Sequence, residues 1–156
     1  MYKVKSKGAP ANNTMQSLLT HKQLKDHYNT LRQESHRYGE RNDCTVIATA
    51  MLFSLSYNDA HKLLYDLGRK AHKGFNVDYI VSYYKHRCSN PQYIRQPNGS
   101  LYTVRSIPET LPVGKFMLLT VDHALACING AIYDWSANRK HRILKVIEID
   151  TIFDLL

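Results

Sequence analysis

His123-Ala124-Leu125-Ala126-Cys127-Ile128-Asn129-Gly130-Ala131-Ile132-Tyr133-Asp134-Trp135 is the stretch that decides the fold. Asn-Gly between two apolar runs is the favoured pair for a two-residue hairpin turn, because both residues tolerate positive φ. With Asn129 and Gly130 in the turn, Ile128 faces Ala131, Cys127 faces Ile132 and Ala126 faces Tyr133. Further out, Leu125 faces Asp134, Ala124 faces Trp135 and His123 faces Ser136. Side chains alternate across a strand, so His123, Leu125 and Cys127 share one face. His123 and Asp134 then become diagonal neighbours on that face, with roughly 7–8 Å between backbones, a gap that an imidazole and a carboxylate can span. A one-residue slip in the turn breaks the pairing.

Working outward, Lys115 to Val121 reads as a strand before the hairpin, and Arg142 to Ile149 as one after it. Upstream the pattern is helical. Leu18, Leu24, Tyr28 and Leu31 recur at near-helical spacing over 14–35, and the histidines His21 and His27 fall on the polar side. Ser56-Tyr57-Asn58-Asp59 is a capping box opening a helix to about Leu67, with Gly68 as its stop. Asn76 caps another expected to run to about Arg87. Between Cys88 and Tyr102, Pro91, Pro97 and Asn98-Gly99 mark turns, with one short strand expected near Tyr93-Ile94. A short helix is expected from Ser106 to Leu111, with Pro108 in its first turn. Helices first and antiparallel strands afterwards make an α+β domain. The reading is a basic arm over 1–13 and one domain over 14–156, with a helical part at 14–112 and a sheet part at 113–156.

Asn42-Asp43-Cys44 opens a further run of small and apolar residues, Thr45 to Phe53, long enough for a buried helix. Asp43 reads as the N-cap, which puts Cys44 on the first turn. There the free backbone N–H groups and the helix dipole favour a thiolate and can hold an oxyanion. An unpaired cysteine in such a run also suits simple core packing. Set beside His123 and Asp134 on one predicted face, Cys44 becomes the nucleophile of a candidate Cys-His-Asp triad. Ser136 is a fallback orienting residue. Cys127 shares the face, but its mid-strand position assigns it to packing.

The chain has 156 residues, 44% of them hydrophobic, which fits one core. Three widely spaced cysteines make no disulfide framework and point to a reducing, cytoplasmic home (host cytoplasm if phage-encoded). No run of apolar residues reaches the length of a membrane span. His86-Arg87-Cys88 offers two metal ligands and nothing nearby completes a set, so neither metal nor cofactor is expected. Net charge is +8, from 21 Lys and Arg against 13 Asp and Glu. That balance permits an acidic partner or nucleic acid. The charge is densest in the first seven residues and at Arg139 to Arg142, without the aromatic interleaving of a stacking platform, so nucleic acid is not favoured.

These residues resemble the papain-like cysteine peptidase superfamily, in which a helix-opening cysteine precedes an antiparallel sheet carrying His and then Asp or Asn. The likeness is to small bacterial and bacteriophage members, carried here by Asp43-Cys44, Tyr57 with Ala60-His61, Gly68-Arg69, and Gly114-Lys115-Phe116 leading to His123 and Asp134. It covers about residues 40 to 136. The resemblance implies Cys44 as nucleophile, His123 as general base and acid, and Asp134 as orienter, acting on a peptide or isopeptide bond of a protein or peptide substrate. Such enzymes place a glutamine before the cysteine to hold the oxyanion. Here the nearest is Gln33, and Asn42 is the natural substitute. An inactive papain-fold binding protein, capturing a host protein or nucleic acid, is the alternative.

Overall fold

The computed structural model describes residues 19–151, so the expected arm over 1–13 and the start of the first expected helix at 14–18 lie outside the described residues. Among the described residues four helices come first: α1 (His21–Arg37), α2 (Cys44–Leu52), α3 (Tyr57–Asp66) and α4 (Val77–Tyr83). A 3-10 turn at Ile107–Glu109 follows, then strands β1 (Lys115–Thr120), β2 (His123–Ile128), β3 (Ala131–Tyr133) and β4 (Lys145–Ile149). The strands form one antiparallel sheet in the order β3-β2-β1-β4. The described chain is therefore α+β, helices before sheet.

Local chemistry accounts for the helix bounds. Thr20 begins α1 with a capping box: its hydroxyl accepts from the Gln23 N–H while the Gln23 amide oxygen accepts from the Thr20 N–H. Ser56 caps α3 by accepting from the Asp59 N–H, and Asn76 caps α4 through the Asp78 N–H. α1 runs two residues further than its apolar spacing indicates. α4 stops at Tyr83 instead of Arg87, because Tyr84 leaves helical geometry. No strand forms at Tyr93-Ile94; that segment makes only isolated bridges, Gln92 to Val146 and Arg95 to Leu101.

The hairpin register is the one the Asn-Gly turn dictates: Ile128 opposite Ala131, Cys127 opposite Ile132, Ala126 opposite Tyr133. Asn129 and Gly130 both take positive φ, 50° and 81°. The ladder ends at Tyr133, however, so Leu125, Ala124 and His123 have no partners on β3. Beyond Tyr133 the chain turns, and Ala137 N–H reaches back to the Asp134 carbonyl.

Both sheet faces are buried, which explains why β1 and β2 read as almost unbroken apolar runs. Met117, Ala126, Ile128, Tyr133 and Ile147 pack under the helices with Val46, Ala50, Met51 and Leu52 of α2. Phe116, Leu118, Leu125, Cys127 and Val146 form the opposite face, covered by Ile94, Val104, Ile107 and Leu111 from the irregular segment. Burial of four such large side chains contributes roughly 1.5–3 kcal/mol each, so a stretch with little regular structure is still firmly seated. α2 thus lies on the sheet as a buried rod whose first residue is Cys44.

Gly130→Ala is expected to destabilise the protein by about 1–2 kcal/mol. A Cβ there meets only the Pro108 carbonyl at 3.7 Å, so the cost is the left-handed backbone itself. Urea unfolding measures it, and an unchanged midpoint contradicts the turn assignment.

Candidate functional site

Residues 38–43 carry the chain from α1 into α2, and one buried carboxylate fastens them. Glu40, its side chain 3% exposed, accepts from Arg69 Nη1 at 3.2 Å. It also contacts His61 Nε2 at 2.7 Å and accepts from the His72 backbone N–H at 2.6 Å. Arg69 is itself buried and donates through Nη2 to the carbonyls of Arg41 and Asn42, 3.4 and 3.5 Å away. Burial opposes the Glu40 charge, but these donors outweigh it and hold the carboxyl down at about 2.

Asp43 occupies the N-cap position of α2 without capping it. Its carboxylate instead accepts from Ser35 Oγ at 2.5 Å and Tyr57 Oη at 2.8 Å, a correction to the sequence expectation. Two hydroxyls, from α1 and α3, give a part-buried carboxylate better satisfaction than one backbone N–H would. The first-turn N–H groups of α2, Cys44 among them, are left free of a side-chain cap.

His123 opens β2 opposite Thr120, the last residue of β1, so its imidazole stands at the rim of the sheet. Nε2 lies 2.7 Å from Asp134 Oδ2. The Cys44 side chain interacts with the same ring and helps to raise its pKa, and with Nε2 taken by Asp134, Nδ1 is the nitrogen left to face sulfur. Asp134 is fixed in turn: its Oδ2 accepts from Ser136 N–H at 3.0 Å and Ser136 Oγ at 2.5 Å. Ser136 therefore orients the carboxylate, not the histidine. Burial works against the His123 charge, yet the hydrogen bonds to Asp134 and Cys44 raise the ring to about 9. The histidine keeps its proton through neutral pH.

Trp135 packs on His123 with ring centroids 5.0 Å apart, and His141 meets the indole edge at 5.7 Å. The indole covers one side of His123 and is itself half exposed. Cys44, His123 and Asp134 line an open cleft of about 1410 Å³, walled by α1 and the 38–43 loop on one side and by Val121, Asp122 and Trp135 on the other. Burial pushes the thiols of Cys88 and Cys127 up, to about 11 and about 12.

Asn42 also lines the cleft, at a positive φ of 54°. Its Nδ2 donates to the His72 carbonyl at 3.1 Å, so this amide is engaged in holding the loop. The donor that remains at the cysteine is the backbone N–H of Cys44. Of the basic tract 139–142, only His141 reaches the cleft. His21, read as solvated, is exposed and also meets the Tyr133 hydroxyl at 2.6 Å through Nδ1. Among the described residues no group of three or more His, Cys, Asp or Glu side chains is placed to hold a metal ion, and no helix is long and apolar enough to cross a membrane.

The residues that sequence reasoning left without a role are Glu40, His61, Arg69 and Trp135. Tyr57, His61 and Arg69 were each part of the motif that carried the family likeness, and all three gather beneath the Cys44 loop. Comparison with protein-family models, curated proteins and solved structures gave no match to the chain.

Glu40→Gln leaves Arg69 buried beside a neutral partner and is expected to cost near the lower end of roughly 3–5 kcal/mol. The Glu40 contribution is present above the ordinary value of 4.5 and is lost as pH falls toward about 2. Chemical denaturation from pH 2 to 5 should show the wild-type advantage over Glu40→Gln shrinking with acid. His123 has the opposite sign: its raised value gives stability fully present below 6.5 and lost as pH rises through about 9. The stability gap between wild type and Asp134→Asn should therefore narrow from pH 6.5 to 9, and a gap that widens contradicts the pairing.

Proposed function

We propose that this protein is a thiol hydrolase of papain-like architecture that cleaves a peptide or isopeptide bond. The observation that carries the reading is the hydrogen-bonded chain His123–Asp134–Ser136 set beside Cys44, in a cleft at the N-terminus of a buried helix. Cys44 Sγ attacks the carbonyl carbon, and the oxyanion forms against the Cys44 backbone N–H. As the C–N bond breaks, protonated His123 gives its proton to the leaving amine, leaving a thioester. Water then attacks the thioester carbonyl, His123 takes a proton from it, and the acid is released with the thiol restored. Asp134 keeps the ring oriented through both halves.

A second reading is a papain-fold protein that binds a partner and does no chemistry. It draws on Asn42, whose amide is bonded to the His72 carbonyl in place of an oxyanion. The two separate on peptide chemistry. Incubation with a pool of unfolded polypeptides, followed by mass spectrometry of new amino termini, should give wild-type cleavage that Cys44→Ser abolishes, a loss of at least roughly 10³-fold. New termini that persist in Cys44→Ser, or none in wild type, contradict the hydrolase reading.

A further inference from the structure

Four acidic residues line the cleft: Glu40, Asp43, Asp122 and Asp134. Three of them are committed to the protein. Glu40 is held by Arg69 and His61, Asp43 by Ser35 and Tyr57, and Asp134 by His123 and Ser136. Only Asp122 is exposed, in the turn between β1 and β2.

The cations behave differently. Arg32, Arg37 and Arg41 line the same cleft and all are exposed. Arg37 is paired with Glu34 at 2.9 Å, while the Arg41 guanidinium has no ion-pair partner among the described residues. Arg32 is pre-set. Its Nη1 donates to Tyr28 Oη at 3.0 Å, one helical turn back, and its guanidinium lies 5.8 Å from the Tyr28 ring centre. It interacts electrostatically with both Asp134 and Asp43, the carboxylates adjoining His123 and Cys44. A guanidinium carries five N–H donors in a planar fork that fits a carboxylate, and only one of these is used by Tyr28.

We infer that Arg32, with Arg41 as the second cation of the cleft, is a specificity subsite for a substrate carboxylate on the α1 side of the scissile bond. The inference rests on Cys44 as the attacking atom. The carboxylate belongs either to an acidic side chain or to the C-terminus of the substrate chain. A neutral group in that place would forgo the charge-assisted hydrogen bonds that the unused Arg32 donors can make, and so would bind less well than a carboxylate.

Iodoacetate and iodoacetamide test it, being nearly equal in size and differing in charge. The ratio of their rates at Cys44, mapped by mass spectrometry, should exceed that of free glutathione by roughly threefold or more. The ratio should fall toward the glutathione value in Arg32→Gln, and also as salt rises from about 0.02 to 0.5 M. Lys62→Gln, an exposed cation outside the cleft, should leave it unchanged. A wild-type ratio equal to that of glutathione, or one unaltered by Arg32→Gln, overturns the subsite alone. A Cys44 slower than Cys88 toward iodoacetamide overturns the nucleophile and the subsite with it. Three chloroacetyl probes then identify the source: the glutamic acid α-amide, free glutamine, and glutamine amide. A faster reaction of the first marks a side-chain carboxylate and of the second a terminal one; no gain of either over glutamine amide overturns the proposal.

Discussion

A single buried carboxylate, Glu40, ties together the three segments that must meet for Cys44 to sit where it does. Arg69 comes from just beyond α3, His61 from within it and His72 from the loop before α4. An ion pair this deep is costly to desolvate, and its net worth depends on every oxygen and N–H finding a partner. Here the Glu40 oxygens have several donors, and Arg69 passes its Nη2 donors to the carbonyls of Arg41 and Asn42, while its buried Nε–H has no hydrogen-bond partner among the described residues. The interaction therefore acts on backbone: it sets the course of the two residues before Asp43. Asp43 then anchors the next step to α1 and α3 through Ser35 and Tyr57. Tethered at both residues, the loop delivers the cysteine to a fixed point.

The sheet supplies the other half by a different physical route. His123 opens β2 and Asp134 directly follows β3, so the Asn129-Gly130 turn brings the two to the same end of one hairpin. Because the ladder stops at Tyr133, Asp134 is released from strand geometry, and Ser136 can turn back and lock it. Burial on both faces makes the rim of the sheet the place where polar side chains reach solvent. The start of α2 is brought to that rim by the packing of Val46, Ala50 and Met51 over Ala126 and Ile128.

Much of this was legible from residue order, and the parts that were not have a common cause. Short-range signals held: the Asn-Gly register, the caps at Ser56 and Asn76, the opening of a buried helix at Cys44, and the inward burial of Cys127. The His123–Asp134 pair followed from strand alternation, although the directly opposed partners expected beyond Tyr133 did not form. Long-range satisfaction of buried polar groups was invisible. Asp43 looks like an N-cap because a cap needs only its own chain, whereas Ser35 and Tyr57 compete from 8 and 14 residues away. Likewise nothing local marks Glu40 as the partner of Arg69, and nothing local shows that the His72 carbonyl engages the Asn42 amide. The sheet's second face was hidden for the same reason: Ile94, Val104 and Ile107 lie in a segment with no periodicity to read.

The central claim is that Cys44 and His123 work as a pair, and the rate of Cys44 alkylation by iodoacetamide from pH 4 to 9 tests it most directly. The account predicts fast reaction below pH 7 in the wild type and loss of that low-pH reactivity in His123→Ala. A wild-type profile that rises only in alkali, or one that His123→Ala leaves unchanged, contradicts it.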